Sequence, residues 1–311
     1  MSNADIIPLR LLNILYKWYF FKDMKKSLYC HLKCLNLAEK MPPSSELAHC
    51  YVLGCVIWAS IPLESKSERY AKLAIDTAQM TGDRLREGTA YAGFSLALLI
   101  LNKPCEGLKY AQKGIQLLKG LGEYLDLGVA YAFRVQNGLL IGKLNSSLAI
   151  SEEFIALSSE AKVLQNLGWA LITKGKSQFL LGNVSDSTVS ELKRAYELMK
   201  ETRDNANMLF SLSTLASLYL RQKKYLLAIK TIEKVVALFP THYSNGAWTL
   251  DLFPLGAQIY LDSIISTLKL SNKDRKKFFK RAHWFCKKSL KWSKKFKFIK
   301  GWACQVNGTY L

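Results

Sequence analysis

Residues 90–120 read AYAGFSLALLILNKPCEGLKYAQKGIQLLKG. An apolar run ends at the turn signal Asn102-Lys103-Pro104, because proline and asparagine interrupt a helix. Beyond the turn, apolar side chains recur at the spacing of one helix face, at Leu108, Ala111, Ile115 and Leu118. This stretch therefore predicts two helices joined by a short turn.

The same arrangement recurs every forty residues along the chain. The breaks between apolar runs fall near Lys22, Pro62, Asn102, Gly142, Gly182 and Gln222. One aromatic column contains Tyr51, Tyr91 and Tyr131, each preceded by a small residue. A second, apolar column contains Leu35, Ile75, Ile115, Ile155, Ala195 and Val235. Each unit is predicted to be a helix of about 16–18 residues, a short turn and a second helix of about 14–16 residues.

Such a hairpin cannot cover both of its apolar faces alone, so neighbouring hairpins must stack. The sequence predicts an all-α fold, an α-solenoid of about seven helix-turn-helix repeats with one helix of each pair on the concave side. We expect six regular hairpins over residues 1–240 and a seventh, irregular hairpin over 241–300. Residues 301–311 are expected to begin a further, truncated repeat, which would make the chain a fragment of a longer array.

The helices of the irregular unit are expected at 247–270 and from Asn272 to about Lys300. Half of the 311 residues are hydrophobic, which is too apolar for a disordered chain. The longest apolar run, 90–101, is shorter than the roughly 20 residues that cross a bilayer, and the amino terminus has no secretory-signal pattern. Seven cysteines without a framework spacing favour reduced thiols. We therefore expect a cytoplasmic protein.

The segment ALITKGKS, residues 170–177, fits a relaxed phosphate-loop pattern at Gly175, Lys176 and Ser177. A working phosphate loop needs a buried strand before it and a helix beginning at the lysine. The preceding residues have helical spacing instead, and Gly175 falls in the forty-residue register on Val135. We interpret the match as helix packing, and we expect no nucleotide or other cofactor to bind there.

The frame Gly-Trp-Ala-(four residues)-Gly occurs at 168–175 and again at 301–308. In the second copy Thr309-Tyr310 stand where Lys176-Ser177 stood in the first. The repetition indicates a packing frame, in which small residues allow close helix approach and tryptophan fills a groove.

Several metal-capable side chains lie near the amino terminus, at Cys30, His31, Cys34, His49 and Cys50. Structural zinc sites combine two short Cys/His hooks, and this pattern is absent here. Core thiols are the preferred interpretation, so no metal site is predicted. No catalytic triad, Cys-His pair or paired carboxylates stand out either, which predicts a chain without enzymatic activity.

The net charge of +20 is concentrated near the carboxyl end. Residues 271–300 contain thirteen Lys/Arg and one acid, a charge of +12. A core stripe is predicted at Ala282, Phe285, Cys286, Ser289, Trp292, Ser293 and Phe296. The predicted basic patch opposite the stripe consists of Lys276, Lys277, Lys280, Arg281, Lys287, Lys288, Lys291, Lys294 and Lys295. It is either a solvated face or a site for an acidic protein, with anionic lipid or nucleic acid as further alternatives.

The repeats resemble the tetratricopeptide-like superfamily of helical hairpins, although the forty-residue period exceeds the strict 34-residue unit. Phrases such as LKCLNLAEKM (32–41), RYAKLAIDTAQMTGD (69–83) and KKSLKWSKKF (287–296) are similar to the carboxy-terminal helical regions of large signalling ATPases. Among these, they resemble soluble, bicarbonate-responsive adenylyl cyclase. That resemblance implies a parent that makes cyclic AMP with domains that are not recognisable in this chain.

Three functions follow as hypotheses. The first is a non-catalytic scaffold that binds a protein or peptide in its concave groove. The second is a regulatory part of a cyclase, and the third is a basic adaptor for lipid or nucleic acid.

Overall fold

The computed structural model describes residues 3–20, 23–242, 249–266 and 270–311, and all regular structure within them is helical. Six hairpins come first: α1 (Asn3–Phe20) with α2 (Met24–Ala38), α3 (Ser45–Ser60) with α4 (Glu64–Met80), α5 (Arg84–Ile100) with α6 (Pro104–Leu118), α7 (Tyr124–Leu140) with α8 (Leu144–Glu160), α9 (Leu164–Leu180) with α10 (Asp186–Glu201), and α11 (Asn205–Arg221) with α12 (Tyr225–His242). The all-α expectation is confirmed. None of these or the later described helices is long and apolar enough to cross a membrane.

The turns recur about every twenty residues, which is half of the forty-residue sequence period. A residue with positive φ, between +55° and +84°, occupies each of eight turns, at Gly82, Asn102, Gly122, Gly142, Lys162, Gly182, Arg203 and Lys223. The interval is twenty residues up to Gly182 and one residue longer before Arg203. The forty-residue unit thus consists of two halves with similar turns.

One hydrogen-bond pattern closes most of these turns. At Gly142 the backbone N–H donates to the Leu139 carbonyl at 3.2 Å, and the next N–H, of Lys143, donates to Gly138 at 2.9 Å. This pair of bonds is the Schellman motif, which satisfies the last carbonyls of a helix. The same two bonds form at Gly82, Asn102, Lys162, Gly182, Arg203 and Lys223. The predicted breaks from Pro62 to Gln222 fall at turns, and Lys22 lies outside the described residues.

The hairpins form two layers. Each first helix contacts the next first helix, α3 with α5, α5 with α7, α7 with α9 and α9 with α11. The first helices therefore form an inner layer and the second helices an outer one. An outer helix such as α6 buries only one face, at Gly107, Ala111, Gly114, Ile115 and Leu118. In the second predicted column, Ile75 and Ile155 are half-buried and the other four members are buried.

In the carboxy-terminal unit the helix ends differ from the expected ones. It contains α13 (Leu252–Ser266), α14 (Asn272–Ser293), a short 3₁₀ helix at Lys297–Ile299 and α15 (Lys300–Tyr310). The basic helix thus ends at Ser293, and the expectation of a helix to about Lys300 is wrong. Phe296 explains the break, because this residue is buried in an extended conformation with φ −117° and ψ 97°. Residues 243–248 and 267–269, where parts of the expected connection and first helix fall, lie outside the described residues.

Candidate functional site: the concave groove

The inner faces of the first helices line a series of cavities, which we call the groove. The largest cavity that the described residues line, about 440 Å³, lies against α1, α3, α5, α7 and α9. A small cavity of about 70 Å³ shares Leu96, Val129 and Trp169 with it. A third cavity of about 300 Å³ shares Gln136 and Phe210 with the small one. The three cavities therefore follow one another along the inner layer from the amino-terminal hairpin to the carboxy-terminal unit.

The groove walls are built from columns at forty-residue spacing. Four such columns line the three cavities: His49, Thr89, Val129 and Trp169; Val52, Ala92, Ala132 and Ile172; Leu53, Gly93, Phe133 and Thr173; Val56, Leu96, Gln136 and Lys176. Within one helix these positions are separated by three, one and three residues, so they share one face. We did not single out this face from the sequence, because its apolar side chains resemble core residues. Alignment of the first helices at forty-residue spacing would identify this face.

The amino-terminal end of the groove combines an apolar wall with polar groups at the rim. Ile14 and Trp18 of α1 line the large cavity and are more than half exposed, at 63% and 53%. Asp126 of α7 lines the same cavity and accepts a hydrogen bond from the Thr89 hydroxyl at 3.4 Å. Arg203, in the turn before α11, is exposed beside it. This end can therefore accept large apolar groups and hydrogen-bond their polar neighbours.

A buried carboxylate fixes the tryptophan of the groove. Asp204 caps α11 and accepts hydrogen bonds from Trp169 Nε1 at 2.7 Å and Gln165 Nε2 at 3.1 Å. It also accepts bonds from the backbone and side chain of Asn207, at 3.1 and 2.9 Å. Burial raises the pKa of Asp204 despite these four donors. Asp204 thus holds the indole in place where it lines the groove.

The segment that fits a phosphate loop lies inside α9, between its first residue Leu164 and its last residue Leu180. Gly175 is buried, and a Cβ there would meet Leu192 Cγ of α10 at 2.8 Å. The Ser177 hydroxyl donates to the Thr173 carbonyl at 2.8 Å. The described chain before α9 is the outer helix α8, not a strand. That these residues bind no nucleotide stays a prediction, and this geometry supports it.

Lys176 instead lines the third cavity of the groove. Its Nζ lies 2.8 Å from Asp251 Oδ2, and the two side chains are 15% and 14% exposed. The pair joins α9 to the residues just before α13. It places a shielded charge pair in a cavity otherwise lined largely by leucine, isoleucine and aromatic side chains.

The second Gly-Trp-Ala frame packs differently from the first. Trp302 lines the third cavity and donates from Nε1 to Gln258 Oε1 at 3.1 Å, so tryptophan faces the groove in both copies. A Cβ at Gly301 or Gly308 would meet nothing within 4 Å. Close helix approach at these two glycines was a wrong expectation, because no helix of the described chain packs against that side of α15.

The amino-terminal cysteines and histidines are dispersed over three environments. His49 lines the groove, whereas His31 is buried and its pKa falls to about 4 because burial disfavours the charged ring. Cys34 and Cys50 contact each other, with their sulfurs 3.2 Å apart. Within the described ranges no group of three or more His, Cys, Asp or Glu side chains could hold a metal ion.

The basic patch lies on the outer surface of α14 and the residues after it. The predicted core stripe is buried, except for the half-buried Trp292. Lys288 is half-buried, and the other patch lysines are exposed. Arg281 differs, because its Nε and Nη2 bind the two oxygens of Glu233 at 2.8 and 2.7 Å. Its guanidinium also lies 4.6 Å from the Trp284 ring centroid. Arg281 therefore joins α14 to α12 and is not a free surface charge.

Comparisons with known proteins identify the fold. No protein-family model and no curated protein sequence match the chain. One similar solved structure is a signal transduction ATPase with numerous domains (STAND) from Pyrococcus horikoshii, which has a tetratricopeptide repeat sensor. It is 15% identical to this chain, and the TM-score is 0.59. The match covers 96% of this chain, which spans only 44% of that protein.

Two Rap proteins are similar over most of their length. The apo form of RapI is 13% identical with a TM-score of 0.58, over 85% of this chain and 94% of RapI. A Rap protein complexed with Competence and Sporulation Factor is 9% identical with a TM-score of 0.60, over 100% of this chain and 99% of the Rap protein. At such identities the likeness concerns the fold alone. The chain is an α-solenoid of tetratricopeptide-like repeats, and none of these three structures is described as a cyclase.

Proposed function

We propose that the chain is a non-catalytic scaffold that binds a short, apolar peptide segment of a partner protein in its concave groove. The observation that carries the proposal is the set of four residue columns that line three adjoining cavities. Ile14 and Trp18 line the amino-terminal end of the groove and are more than half exposed, and exposed apolar side chains beside a cavity favour covering by another chain. The proposal places this activity in the cytoplasm.

The chemistry of the groove favours apolar side chains. Phe133, Trp169, Phe210 and Trp302 supply large rings along the floor, and Asp126 and Gln136 supply hydrogen-bonding groups. Each large apolar side chain that a peptide buries there would contribute about 1.5–3 kcal/mol. The Rap structure described with Competence and Sporulation Factor supports the proposal by analogy, because that solenoid binds a partner molecule.

The test begins with peptides selected from a random phage-displayed library against the purified chain. We then measure the affinity of the best peptide by fluorescence anisotropy for Ile14→Asp, Val129→Asp and the control Leu226→Asp. Ile14 and Val129 line the large cavity, whereas Leu226 is 80% exposed on the outer helix α12. A carboxylate in the groove should weaken binding about tenfold or more, since it must be desolvated against apolar walls. Equal affinity of all three variants would contradict the proposal.

The basic patch is a second candidate site, for an acidic segment of a protein. Among the cations of residues 270–311, Arg281 is the one that the structure pairs with a carboxylate within 4.0 Å. The remaining lysines leave a positive outer face that an acidic segment would complement. A glutamate-rich synthetic peptide should bind more tightly than a DNA duplex or anionic vesicles of equal charge, and triple replacement of Lys287, Lys291 and Lys294 by Glu should abolish binding. Tighter binding to duplex or vesicles would reject the acidic partner.

The division of the chain at 240 and 300 and the cyclase parentage remain proposals. If the chain is a regulatory part of a cyclase, the isolated chain should make no cyclic AMP, because no catalytic apparatus is recognisable in its sequence. Measurable synthesis of cyclic AMP from ATP would contradict the non-catalytic scaffold as well.

A further inference from the structure

Two buried thiols meet where the first hairpin packs on the second. Cys34 of α2 and Cys50 of α3 are both 0% exposed, and their sulfurs lie 3.2 Å apart. The other three buried thiols have different neighbours. Cys30 packs with Tyr16 and Leu53. Cys55 lies beside the Ser67 hydroxyl and Cys286 beside the Val306 carbonyl. Among the hydrogen bonds of the described residues, no second pair of cysteine sulfurs is joined.

The two thiols are not equivalent. The Cys50 S–H donates to the Cys34 sulfur, and this bond lowers the pKa of the Cys34 thiol. The same bond, together with burial, raises the pKa of Cys50. Since the thiolate is the reactive form, Cys34 is the sulfur suited to attack first and Cys50 the sulfur suited to attack second.

We propose that Cys34 and Cys50 are an oxidisable pair that forms a reversible disulfide between α2 and α3 with hydrogen peroxide as the oxidant. The Cys34 sulfur attacks one peroxide oxygen, the O–O bond breaks, and sulfenic acid and water result. The Cys50 sulfur then attacks the Cys34 sulfur, the S–O bond breaks, and a second water leaves. Both sulfurs are oxidised, one peroxide is reduced to two waters, and the two thiol protons end in those waters.

Access to the pair is controlled by α1. The Cys34 sulfur lies 3.6 Å from the Leu9 carbonyl and 3.5 Å from Asn13 Oδ1, so α1 covers it. Ile7 and Leu11 of α1 are 56% and 55% exposed, so much of its outer side meets no other helix of the described residues. Local opening of such a helix costs less than unfolding of the array and admits a small, uncharged oxidant.

The disulfide would act on the groove through the same hairpin. Ile14, Tyr16 and Trp18 of α1 form the end wall of the large cavity, and α1 packs on α2. Joining α2 to α3 would hold this wall against the rest of the array. The effect on peptide binding rests on the proposed function, whereas the disulfide itself does not.

The experiment uses the full chain with Cys105→Ser and Cys304→Ser, because these two thiols are exposed and would form disulfides between molecules. After treatment with hydrogen peroxide, the chain is unfolded and its free thiols are alkylated. Mass spectrometry then measures the mass of the intact chain and maps its peptides. Cys50→Ala is the test variant, since alanine occupies the same column at Ala90 and Ala130 and should be tolerated. Cys30→Ala is the matched control, one helical turn before Cys34.

The expected result is loss of two hydrogens and a linked Cys34–Cys50 peptide, both reversed by dithiothreitol. Cys30→Ala should retain the link and Cys50→Ala should lose it. Alkylation of both Cys34 and Cys50 after treatment, a link through Cys30, or sulfinic acid at Cys34 alone would overturn the proposal.

The selected peptide should bind the oxidised chain about threefold more tightly, because the groove wall is then preorganised. Unchanged affinity with the disulfide present would overturn the connection to the groove, and failure of peptide binding in both states would count against the proposed function.

Discussion

The same frame, Gly-Trp-Ala-(four residues)-Gly, occurs in the regular array and in the carboxy-terminal unit, with opposite packing at its glycines. In α9, Gly168 and Gly175 are buried against Met199 and Leu192 of α10. In α15, Gly301 and Gly308 face open space, and only the tryptophan retains its place at the groove. A sequence frame therefore specifies a helix face, whereas the neighbouring helix determines how that face is used.

The two regions also differ in what holds them together. The array from α3 to α12 relies on similar turns and on small residues between helices. The carboxy-terminal unit relies on aromatic side chains: the Phe285 ring lies 4.9 Å from Trp284 and 6.0 Å from Tyr260 between ring centroids. We therefore expect that a destabilising substitution in the array also destabilises the neighbouring repeats. The carboxy-terminal unit is expected to unfold separately from the array.

The largest expected effect is that of Phe285→Ala. Phe285 is fully buried and fills the space above Gly256, so its loss should cost about 3–5 kcal/mol. Amide exchange should then accelerate in α13–α15 while α5–α9 remain protected. The matched variant is Phe154→Ala, a buried ring stacked on Tyr131 in the array, which should accelerate exchange in the helices on both sides of it. Identical exchange patterns for the two variants would remove the distinction between the regions.

Asp204→Ala should have the next largest effect. The substitution leaves the buried Trp169 and Asn207 donors without their acceptor, which costs about 1–3 kcal/mol for each unsatisfied group. Asp83→Ala is the control, since Asp83 also caps a helix through the Arg86 N–H but is only half-buried. Its loss should cost about 1 kcal/mol. Urea unfolding checks both values, and equal losses would show that the Trp169 network contributes nothing beyond capping.

The two copies of the frame provide a third prediction. Gly175→Ala places a methyl against the buried Leu192 and should destabilise the chain by about 1–3 kcal/mol. Gly308→Ala meets open space within α15 and should stabilise by up to about 1 kcal/mol, because alanine favours helix. Thermal unfolding of both variants should therefore shift in opposite directions. Shifts of the same sign would mean that the two frames pack alike.

The smallest expected effects lie in the turns. Gly142→Ala puts a side chain at φ +77° and should cost about 1 kcal/mol, whereas Lys162→Gly, at φ +55°, should stabilise by a few tenths to 1 kcal/mol. Urea unfolding of the two variants measures the difference. If both substitutions are neutral, the left-handed turns are not a source of stability in the array.

Much of the fold could be predicted from the sequence, because the array repeats its apolar spacing and its turn residues. The left-handed conformation could not be predicted from the sequence at every turn. The residue type predicts a left-handed conformation at Gly82 and Gly142. Lys162, Arg203 and Lys223 adopt the same conformation although they are neither glycine nor asparagine. Their conformation follows from the Schellman bonds that the stacked helices impose, and single-residue preferences do not predict it.

The groove was predicted only in general terms. A concave binding surface follows from any solenoid, but its particular residues depend on which face of each first helix has no neighbour. The Lys176–Asp251 pair joins residues 75 apart, and such a contact follows from packing of the carboxy-terminal unit rather than from the repeat. The end of α14 at Ser293 was missed because burial of Phe296 outweighed the helical pattern of the lysines.

Photo-crosslinking of the selected peptide to the chain tests directly whether the groove is the binding surface. A photoreactive phenylalanine analogue is placed either at Val129, in the groove columns of α7, or at Lys109, exposed on the outer helix α6. We expect an efficient crosslink from position 129 and almost none from 109. A crosslink from position 109 with none from 129 would show that partners bind the outer layer, and the inner columns would lose their assigned role.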